Sequence, residues 1–442
     1  MRPRRLACLG PTMIVKSRRI LALALGLLAA SLALGANRDH VDRLSDLIEN
    51  NYFDPAKARE VATDLRAAAK AGDFDALSEP RDLAVALTSR LRKIDRHFTV
   101  TWQGPAATPE PSRAAPSAAF GQFDRRAAFG FRRVERLPGA IGYIDLRTFA
   151  DFDGAKPDQP ARQVADAALE LVSTADAVIL DLRDNGGGSP AMVGYLVSAF
   201  TSADADIYNT FKARDRTWSE RPKQLHPHPR ADVPLYVLTS GRTVSAAEST
   251  AYTLQAAKRA TIVGERSGGA ANPGGFFPVG DGFNVFVSTG TPINPITGTN
   301  WEGRGVEPDI DVPAEQALHR AQVVALETLL ARRPSDAGNV DAQWALDALR
   351  AEKLAPKGPP LADYAGRYGD ARVEVVDGRL TLQQGSRLPW ELSRLERDTF
   401  FEAGEPSRRV VFERDAAGKV KGLEIRFSTG RTIWFGRSTT AS

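Results

Sequence analysis

With 442 residues, 43% of them apolar, the chain is long enough to bury two or three hydrophobic cores. Its formal charge of +4 includes six lysines and arginines and no acid in residues 1–36, which leaves a net charge of −2 on the rest and no electrostatic basis for nucleic-acid binding. The single cysteine, Cys8, also lies in that leading segment, so the rest of the chain has no disulfide and no cysteine metal site.

Residues 1–36 have the pattern of an export signal peptide. Arg18 and Arg19 precede the apolar run Ile20–Leu34, which is followed by small residues. The run is short and lacks the charged stop that follows a permanent span, so we expect cleavage, with a retained anchor as the alternative. The mature protein would then be periplasmic or extracellular, with no membrane association.

Residues 37–103 predict a small N-terminal helical domain, because apolar residues recur through them at helical spacing. The pattern becomes strand-like at Ile94–Val100, so His97 lies at a junction between elements. A lone histidine is usually an exposed or hydrogen-bonded residue, and its position alone predicts no chemistry. Residues 104–119, rich in Pro, Ala and Ser, indicate a linker or an exposed loop.

Residues 120–332 alternate between strand-like and helical patterns, which predicts an α/β domain with a largely parallel sheet. The apolar run in Asp176–Arg183 is typical of a strand buried on both faces. The glycine-rich segment Asp184–Gly188 follows it. Glycines there let backbone N–H groups approach an anion closely, but they also permit a tight turn that lets the next helix pack. Both interpretations remain open.

Ser245 lies at a second strand-to-helix turn of this domain. Leu235–Leu238 is apolar and rich in strand formers, and Ser245–Ala260 is rich in helix formers. A hydroxyl at such a turn lies at the carboxyl edge of a parallel sheet, where free N–H groups and the helix dipole stabilise negative charge. Ser245 is therefore a candidate nucleophile if a base can reach it. The alternative is structural, because Ser245 and Glu248 have the spacing of a capping box.

Glu302 lies in a long loop, Pro292–Arg304, that is dense in turn residues. Irregular loops that carry an acid and an aromatic residue are often functional, although a lone carboxylate is solvated by default. His226 and His228 have no third ligand at a suitable spacing, so we expect an exposed proline-rich loop there. We expect no metal and no cofactor.

Residues 333–360 predict a helix followed by a linker, and residues 361–442 predict a small antiparallel β-domain. Short strand-like runs in the last segment are separated by Asp-Gly and Ala-Gly turns. The five runs begin at Val373, Leu380, Val410, Leu423 and Thr432. Nothing in them suggests a catalytic site.

Three stretches of the predicted core form a set. They read AVILDLRDNGGG (177–188), TSGRTVSAAE (239–248) with ATIVGERSGG (260–269), and INPITGTNWEGRGVEPD (293–309). Together they resemble the C-terminal-processing (tail-specific) and tricorn-core serine peptidases, and the last is especially similar to the branch that includes the repeats of interphotoreceptor retinoid-binding protein. The resemblance implies a crotonase/ClpP-like α/β peptidase core, here between an N-terminal helical domain and a small C-terminal β-domain.

The resemblance implies that Ser245 is the catalytic nucleophile. Many members pair it with a lysine beyond the glycine turn, but residues 264–271 contain none. The tricorn-like branch instead uses a histidine before the core and a glutamate just before a G-V-x-P-D stretch, and His97 and Glu302 match those positions. In that branch a serine precedes the histidine, whereas this chain has Arg96, which leaves open which residue orients the His97 ring.

The implied activity is hydrolysis of peptide bonds in a peptide or protein substrate. His97 would be the general base, Glu302 would polarise or orient a further group, and the amides of Gly187 and Ala246 would form the oxyanion hole. Two other functions remain open: a non-catalytic carrier of apolar ligands, which the retinoid-binding relatives suggest, and an esterase or amidase for small molecules. No PDZ-like segment is identified, and the oligomeric state stays open.

Overall fold

The computed structural model describes residues 37–104, 125–332, 339–354 and 356–438. The predicted signal peptide and nearly all of the predicted linker at 104–119 lie outside the described residues. None of the helices within the described ranges is both long and apolar enough to cross a membrane.

The first helices are α1 (residues 37–51), α2 (Pro55–Ala71) and α3 (Pro80–Leu91). Local capping sets the bounds of α2. The Asp54 carboxylate accepts hydrogen bonds from two first-turn amides, Pro55 pre-sets the first helical φ, and Gly72 ends the helix at φ 89°. Each helix then directs an apolar stripe to a common core.

These helices share their core with a three-stranded antiparallel sheet. The sheet consists of β1 (Thr99–Trp102), β9 (Gly274–Gly280) and β10 (Phe283–Ser288), with β10 in the middle. Leucines of the helices lie in one buried cluster with Val285 and Val287 of the sheet. This packing fixes His97, two residues before β1, against the rest of the molecule.

A six-stranded sheet forms the centre of the molecule. In spatial order its strands are β12 (Ile310–Asp311), β8 (Thr261–Gly264), β7 (Leu235–Thr239), β4 (Ala177–Asp181), β3 (Ile141–Leu146) and β2 (Phe131–Leu137). Neighbours are parallel except for β2, which is antiparallel to β3. The three strands β3, β4 and β7 are buried along their whole length, as expected of strands covered on both faces.

Helices cover both faces of this sheet, which confirms the predicted α/β core. One face packs against α4 (Pro160–Leu171), α5 (Pro190–Ser198) and α6 (Ala246–Ala256), and the other against α7 (Ala314–Arg332) and α8 (Asn339–Leu354). The helix after Ser245 is shorter than the predicted run to Ala260, because Lys258 adopts a left-handed φ of 54°. A small sheet of β5 (Thr210–Lys212), β6 (Thr217–Ser219) and β11 (Thr291–Ile293) completes the core.

The carboxyl edge of the central sheet brings two predicted turns together. The strands β4 and β7 are parallel neighbours, so the turns that follow them lie side by side. The Val244 amide of one turn donates to the Asn185 carbonyl of the other, at 3.1 Å. The glycine-rich turn and the serine turn therefore form one surface at this edge.

The C-terminal residues form the predicted antiparallel β-domain. Its eight strands are adjacent in chain order: β13 (Gly366–Tyr368), β14 (Ala371–Val376), β15 (Arg379–Gln384), β16 (Trp390–Glu396), β17 (Thr399–Glu402), β18 (Glu405–Arg414), β19 (Val420–Phe427) and β20 (Thr432–Gly436). Tyr368 forms a bridge with Arg437, which brings the first strand to the end of the last. The result is barrel-like, and aromatic and aliphatic side chains fill its interior. Sequence patterns miss β13, β16 and β17.

Candidate active site

Ser245 occupies a strained position at the start of α6. Its φ of 57° and ψ of −121° are a backbone conformation that residues with a Cβ rarely adopt. Gly187 approaches it so closely that a Cβ on Gly187 would lie 2.7 Å from the Cβ of Ser245. The two turns at the sheet edge thus touch at this serine, and only glycine fits opposite it.

Ser245 and Glu248 form the capping-box arrangement suggested by their spacing. The Ser245 amide donates to Oε2 of Glu248 at 2.8 Å, whereas the serine hydroxyl faces the backbone of Glu248 without a capping hydrogen bond. The half-buried hydroxyl remains available to another partner.

Glu248 holds a loop of the core against the serine turn. Its carboxylate is fully buried. It accepts hydrogen bonds from the amides of Ser245, Gly269 and Ala270 and from the hydroxyl of Ser267, at 2.5–2.9 Å. The loop of residues 267–272, which we call the cradle loop, is thereby fixed beside Ser245.

The two amides predicted to form the oxyanion hole differ in their present partners. Among the hydrogen bonds of the described residues, none is donated by the amide of Ala246, the first residue of α6. The Gly187 amide donates to the side-chain oxygen of Asn185 at 2.8 Å. Ala246 is therefore the free donor of the pair, and Gly187 can act as the second only after it releases Asn185.

His97 lies against two carboxylates. Its Nδ1 atom is 3.5 Å from Oδ1 of Asp95 and 3.9 Å from Oε2 of Glu302. The imidazole side chain is 16% exposed, and its ring stacks on Phe286 at a centroid distance of 5.8 Å. The structure thus brings the predicted residues His97 and Glu302 together. Because both carboxylates lie on the Nδ1 side, Nε2 is the ring atom left for a hydroxyl.

Asp95 is the more buried of these two carboxylates. Its Oδ1 accepts the His97 amide at 2.9 Å, and its Oδ2 accepts the Tyr52 hydroxyl at 3.3 Å and the side-chain amide of Asn272 at 3.1 Å. Burial is the largest single influence and acts to raise the pKa of Asp95, but hydrogen bonding from its neighbours, His97 first, and the charge of His97 together outweigh burial, and the net pKa is lowered from its ordinary value. Asp95 is therefore ionised at neutral pH.

Glu302 is held by the cradle loop. Its Oε2 accepts the amides of Ala271 at 2.6 Å and Asn272 at 3.2 Å, while its Oε1 is buried and has no hydrogen-bond partner among the described residues. Burial and the charge of Asp95 raise the pKa of Glu302 above its ordinary value. The negative charge of the cluster is consequently held more firmly by Asp95 than by Glu302.

The cradle loop joins the serine turn to the histidine cluster. Its first residues bind Glu248, three positions after Ser245, and its last residues bind Glu302 and Asp95. Arg96, where the tricorn-like pattern has a serine, donates from its guanidinium to the Gly268 carbonyl of the same loop at 2.7 Å. The cradle loop is therefore hydrogen-bonded at its first residues to the turn of the candidate nucleophile and at its last residues to the carboxylates beside the candidate base.

The histidines at 226 and 228 have other partners. His226 packs edge-on against Tyr195 at 5.8 Å, and the ring centroids of the two histidines are 6.5 Å apart. Burial lowers the pKa of His226 from its ordinary value. Neither ring contributes to the His97 cluster as the structure describes it.

Part of the chain is similar to known peptidases. Residues 140–312 match peptidase family S41. We call these matched residues the S41 domain. Over 197 residues it is 31% identical to a carboxy-terminal-processing protease of Bartonella bacilliformis, covering 41% of each protein. Over 200 residues it is 31% identical to carboxyl-terminal-processing peptidase 2, chloroplastic, of Arabidopsis thaliana, covering 41% of this chain and 35% of the relative. The chain thus spans less than half the length of these relatives.

Weaker similarities to solved structures are also found. A putative peptidase from Parabacteroides merdae covers 68% of this chain and 98% of its own, with a TM-score of 0.46 and 18% identity. The tricorn protease covers 66% of this chain and 37% of its own, with a TM-score of 0.38 and 13% identity. The family match and the carboxy-terminal-processing relatives, not these structural similarities, confirm the resemblance to tail-specific peptidases inferred from the sequence.

The S41 domain contains the candidate nucleophile, both oxyanion amides and Glu302, but not His97 or Asp95. The candidate base and its closest carboxylate lie before residue 140, in the segment that packs with β9 and β10. The candidate site is therefore assembled from the S41 domain and from the N-terminal helices together.

Sequence reasoning missed two residues of this site, Asp95 and Asn272, and it missed the contacts of Glu248 with the cradle loop. Asp95 has a visible signal, because an aspartate two positions before a residue often accepts that residue's amide. No sequence signal points to Asn272 or to the contacts of Glu248 with the cradle loop, because these contacts join residues that are far apart in the sequence. Such contacts depend on the packing of complete elements, which no local pattern contains.

Proposed function

We propose that the protein is an exported serine peptidase that hydrolyses peptide bonds, with Ser245 as nucleophile, His97 as general base and Glu302 as an acidic partner. The observation that carries this proposal is the cradle loop, whose hydrogen bonds link the Ser245 turn to the His97 cluster. The S41 domain and its carboxy-terminal-processing relatives support a peptide or protein as the substrate. Export rests on the signal pattern of residues 1–36.

In the first step, the Ser245 hydroxyl attacks the carbonyl carbon of the scissile bond while its proton moves to Nε2 of His97. The imidazolium that forms has Asp95 and Glu302 near its Nδ1 atom, and their negative charge stabilises it. His97 then gives the proton to the leaving amine, whose bond to the carbonyl carbon breaks. A water molecule, activated by the same ring, hydrolyses the acyl-enzyme and frees Ser245.

The carbonyl oxygen becomes negative in this step, at the N-terminus of α6. The free amide of Ala246 and the positive end of the helix dipole both favour charge there. Gly187 supplies the second donor once its amide leaves Asn185. In comparable oxyanion holes, one such donor stabilises the transition state by about 3 kcal/mol.

Labelling with a fluorophosphonate probe tests this function directly. We expect the purified mature protein to be labelled and Ser245→Ala to be unlabelled, because the probe reacts only with an activated serine. His97→Ala should react at least about 100-fold more slowly, since general-base catalysis of that size is lost. The exposed residues Ser202 and His228 supply the controls Ser202→Ala and His228→Ala, which should label like wild type.

Digestion of a peptide library, analysed by mass spectrometry, separates the remaining alternatives. Peptide cleavage that disappears in Ser245→Ala supports the peptidase. Labelling together with ester hydrolysis, but without cleavage of any peptide, would replace it with a small-molecule esterase. A well-folded wild type that takes no label contradicts the proposal and favours the carrier of apolar ligands, which titration with a fluorescent retinoid would then examine.

A further inference from the structure

We propose that Asp95 is a positioning residue: its carboxylate, held by Tyr52 and Asn272, orients the imidazole of His97 and balances its charge. The catalytic consequence rests on the proposed function of His97 as a base, whereas the contact between Asp95 and His97 does not. This role assigns the orienting residue that the sequence leaves open, and it places part of the catalytic machinery outside the S41 domain.

The geometry favours Asp95 because one of its oxygens is hydrogen-bonded to the His97 backbone and faces Nδ1 of the ring, which is buried and has no hydrogen-bond partner among the described residues. One oxygen, Oδ1, accepts the His97 backbone amide at 2.9 Å and lies 3.5 Å from Nδ1 of the ring. The carboxylate and the imidazole are therefore parts of one local turn, so the position of the backbone fixes the ring relative to the acid. An ordinary side-chain rotation closes the remaining distance to Nδ1 when the ring becomes charged.

The other oxygen of Asp95 is fixed from two separate elements. Tyr52 follows α1 and donates its hydroxyl at 3.3 Å, while Asn272 of the cradle loop donates its side-chain amide at 3.1 Å. The ring of Tyr52 is itself fixed, because it stacks on Phe98 at a centroid distance of 5.4 Å. Asp95, whose side chain is fully buried, consequently has little freedom to leave His97.

Glu302 is less suited to orient the ring. Its Oε2 is farther from Nδ1, at 3.9 Å, and already accepts two backbone amides. It is also more exposed, at 21% against 0% for the Asp95 side chain. The charged and titratable groups around the imidazole are thus Asp95 and Glu302, with the Tyr52 phenol behind Asp95 and with Arg96 directed to the Gly268 carbonyl.

Replacement of Asp95 with Asn tests the role in catalysis. Loss of the corresponding carboxylate in a Ser-His-Asp triad lowers kcat by about 10⁴, and because Glu302 remains here we expect a loss of about 100-fold with KM unchanged. The neutral amide of Asp95→Asn provides no counter-charge for the imidazolium, so the ring should lose its proton more easily and the acid limb of the kcat/KM profile should move to lower pH. A purely structural role would change activity without moving that limb.

Two further variants keep the proposal testable if Asp95→Asn folds poorly. Tyr52→Phe and Asn272→Ala remove the two donors to Oδ2 and leave Asp95 in place, and the double variant should lose about tenfold in kcat. Asp54→Asn is the matched control, because Asp54 is exposed and caps α2, where Asn is an equally good cap. An unchanged kcat and pH profile in the double variant would overturn the proposal.

Proton NMR gives a readout that does not depend on catalysis. In a Ser245→Ala background, a low-field imidazole N–H signal that is absent in His97→Ala reports the contact between Nδ1 and its carboxylate. We expect Asp95→Asn to abolish this signal and Glu302→Gln to retain it. The reverse result assigns the role to Glu302 and overturns the proposal. If the peptidase function fails but the role of Asp95 holds, the protein that keeps Ser245 takes no fluorophosphonate label, while the Ser245→Ala protein still shows the imidazole signal.

Discussion

The carboxylates around the candidate site differ from those of the C-terminal β-domain in burial and in partners. Asp95, Glu220 and Glu248 are each at most 4% exposed, and in the described chain none of them is paired with a lysine or an arginine, unlike the buried aspartates 145 and 181 of the central sheet, which pair with arginines. In the β-domain, no Asp or Glu among residues 356–438 is buried. Its carboxylates at positions 374, 391, 413 and 424 instead face an arginine or lysine at 2.5–3.1 Å.

The difference shows what each group of charges does. A buried carboxylate is tolerated only where enough donors surround it, and it then fixes those donors in space. Glu248 acts in this way on the amide of Ser245 at the start of α6, and Glu220 acts on Ser249, the fourth residue of the helix, through its hydroxyl. Ion pairs on the surface of the β-domain stay in water, where each contributes little to stability. The buried carboxylates without a lysine or arginine partner therefore position the candidate site, whereas the surface ion pairs of the β-domain do not.

Replacing Glu248 with Gln should give the largest effect. Gln keeps the size of the side chain, but its NH₂ group would face N–H donors where the carboxylate now accepts them. We expect the free energy of unfolding to fall by about 1–3 kcal/mol for each N–H group that the substitution leaves without an acceptor. Hydrolytic activity should be lost as well, because the cradle loop is released. Urea denaturation followed by circular dichroism measures the change.

Glu307 provides the matched control for that substitution. Its side chain is 61% exposed and pairs with Arg266 at 2.6 Å, so Glu307→Gln should change the free energy of unfolding by less than about 1 kcal/mol. Similar losses in the two variants would mean that burial of the carboxylate is not what matters. The contrast between the two regions would then be wrong.

The sequence predicts the features that depend on neighbouring residues better than those that depend on contacts between residues far apart in the chain. The strand, turn and helix around Ser245 use neighbouring residues, so periodicity and turn composition suffice to find them. The strands β13 and β17 are only three and four residues long, and β16 is rich in charged residues, so their alternation is too weak to detect. Glu248, in contrast, accepts hydrogen bonds from residues of the cradle loop, which come close to it only after the sheet and α6 have packed.

Glu220 allows a smaller, pH-dependent test of the same contrast. It is buried and accepts the Ser249 hydroxyl at 2.7 Å and the Asn209 side-chain amide at 3.0 Å. Burial raises its pKa to about 7, although both hydrogen bonds act to lower it. The folded protein therefore keeps this proton up to a higher pH than the unfolded chain does.

The sign of the effect follows from proton binding. Below about pH 4.5 the carboxyl of Glu220 is protonated in both the folded and the unfolded protein. Between about pH 4.5 and 7 it is protonated only in the folded protein. The stability contributed by neutral Glu220 is therefore lost as the pH rises through this window. The loss amounts to about 3 kcal/mol. Glu220→Gln should remove this part of the pH dependence, measured by urea denaturation at several pH values. Exposed Glu315 supplies the control Glu315→Gln, which should leave the dependence as in wild type.

The smallest effect is expected at an ion pair of the β-domain. Lys421 on β19 and Glu413 on β18 lie 3.1 Å apart, with side chains 51% and 42% exposed. A double-mutant cycle with Lys421→Ala and Glu413→Ala should give a coupling free energy of about 0.5 kcal/mol or less, and it should vanish in high salt because exposed charges are screened. Peptidase activity should be unchanged in all three variants. A coupling as large as the loss in Glu248→Gln would show that the β-domain, like the core, depends on its charges.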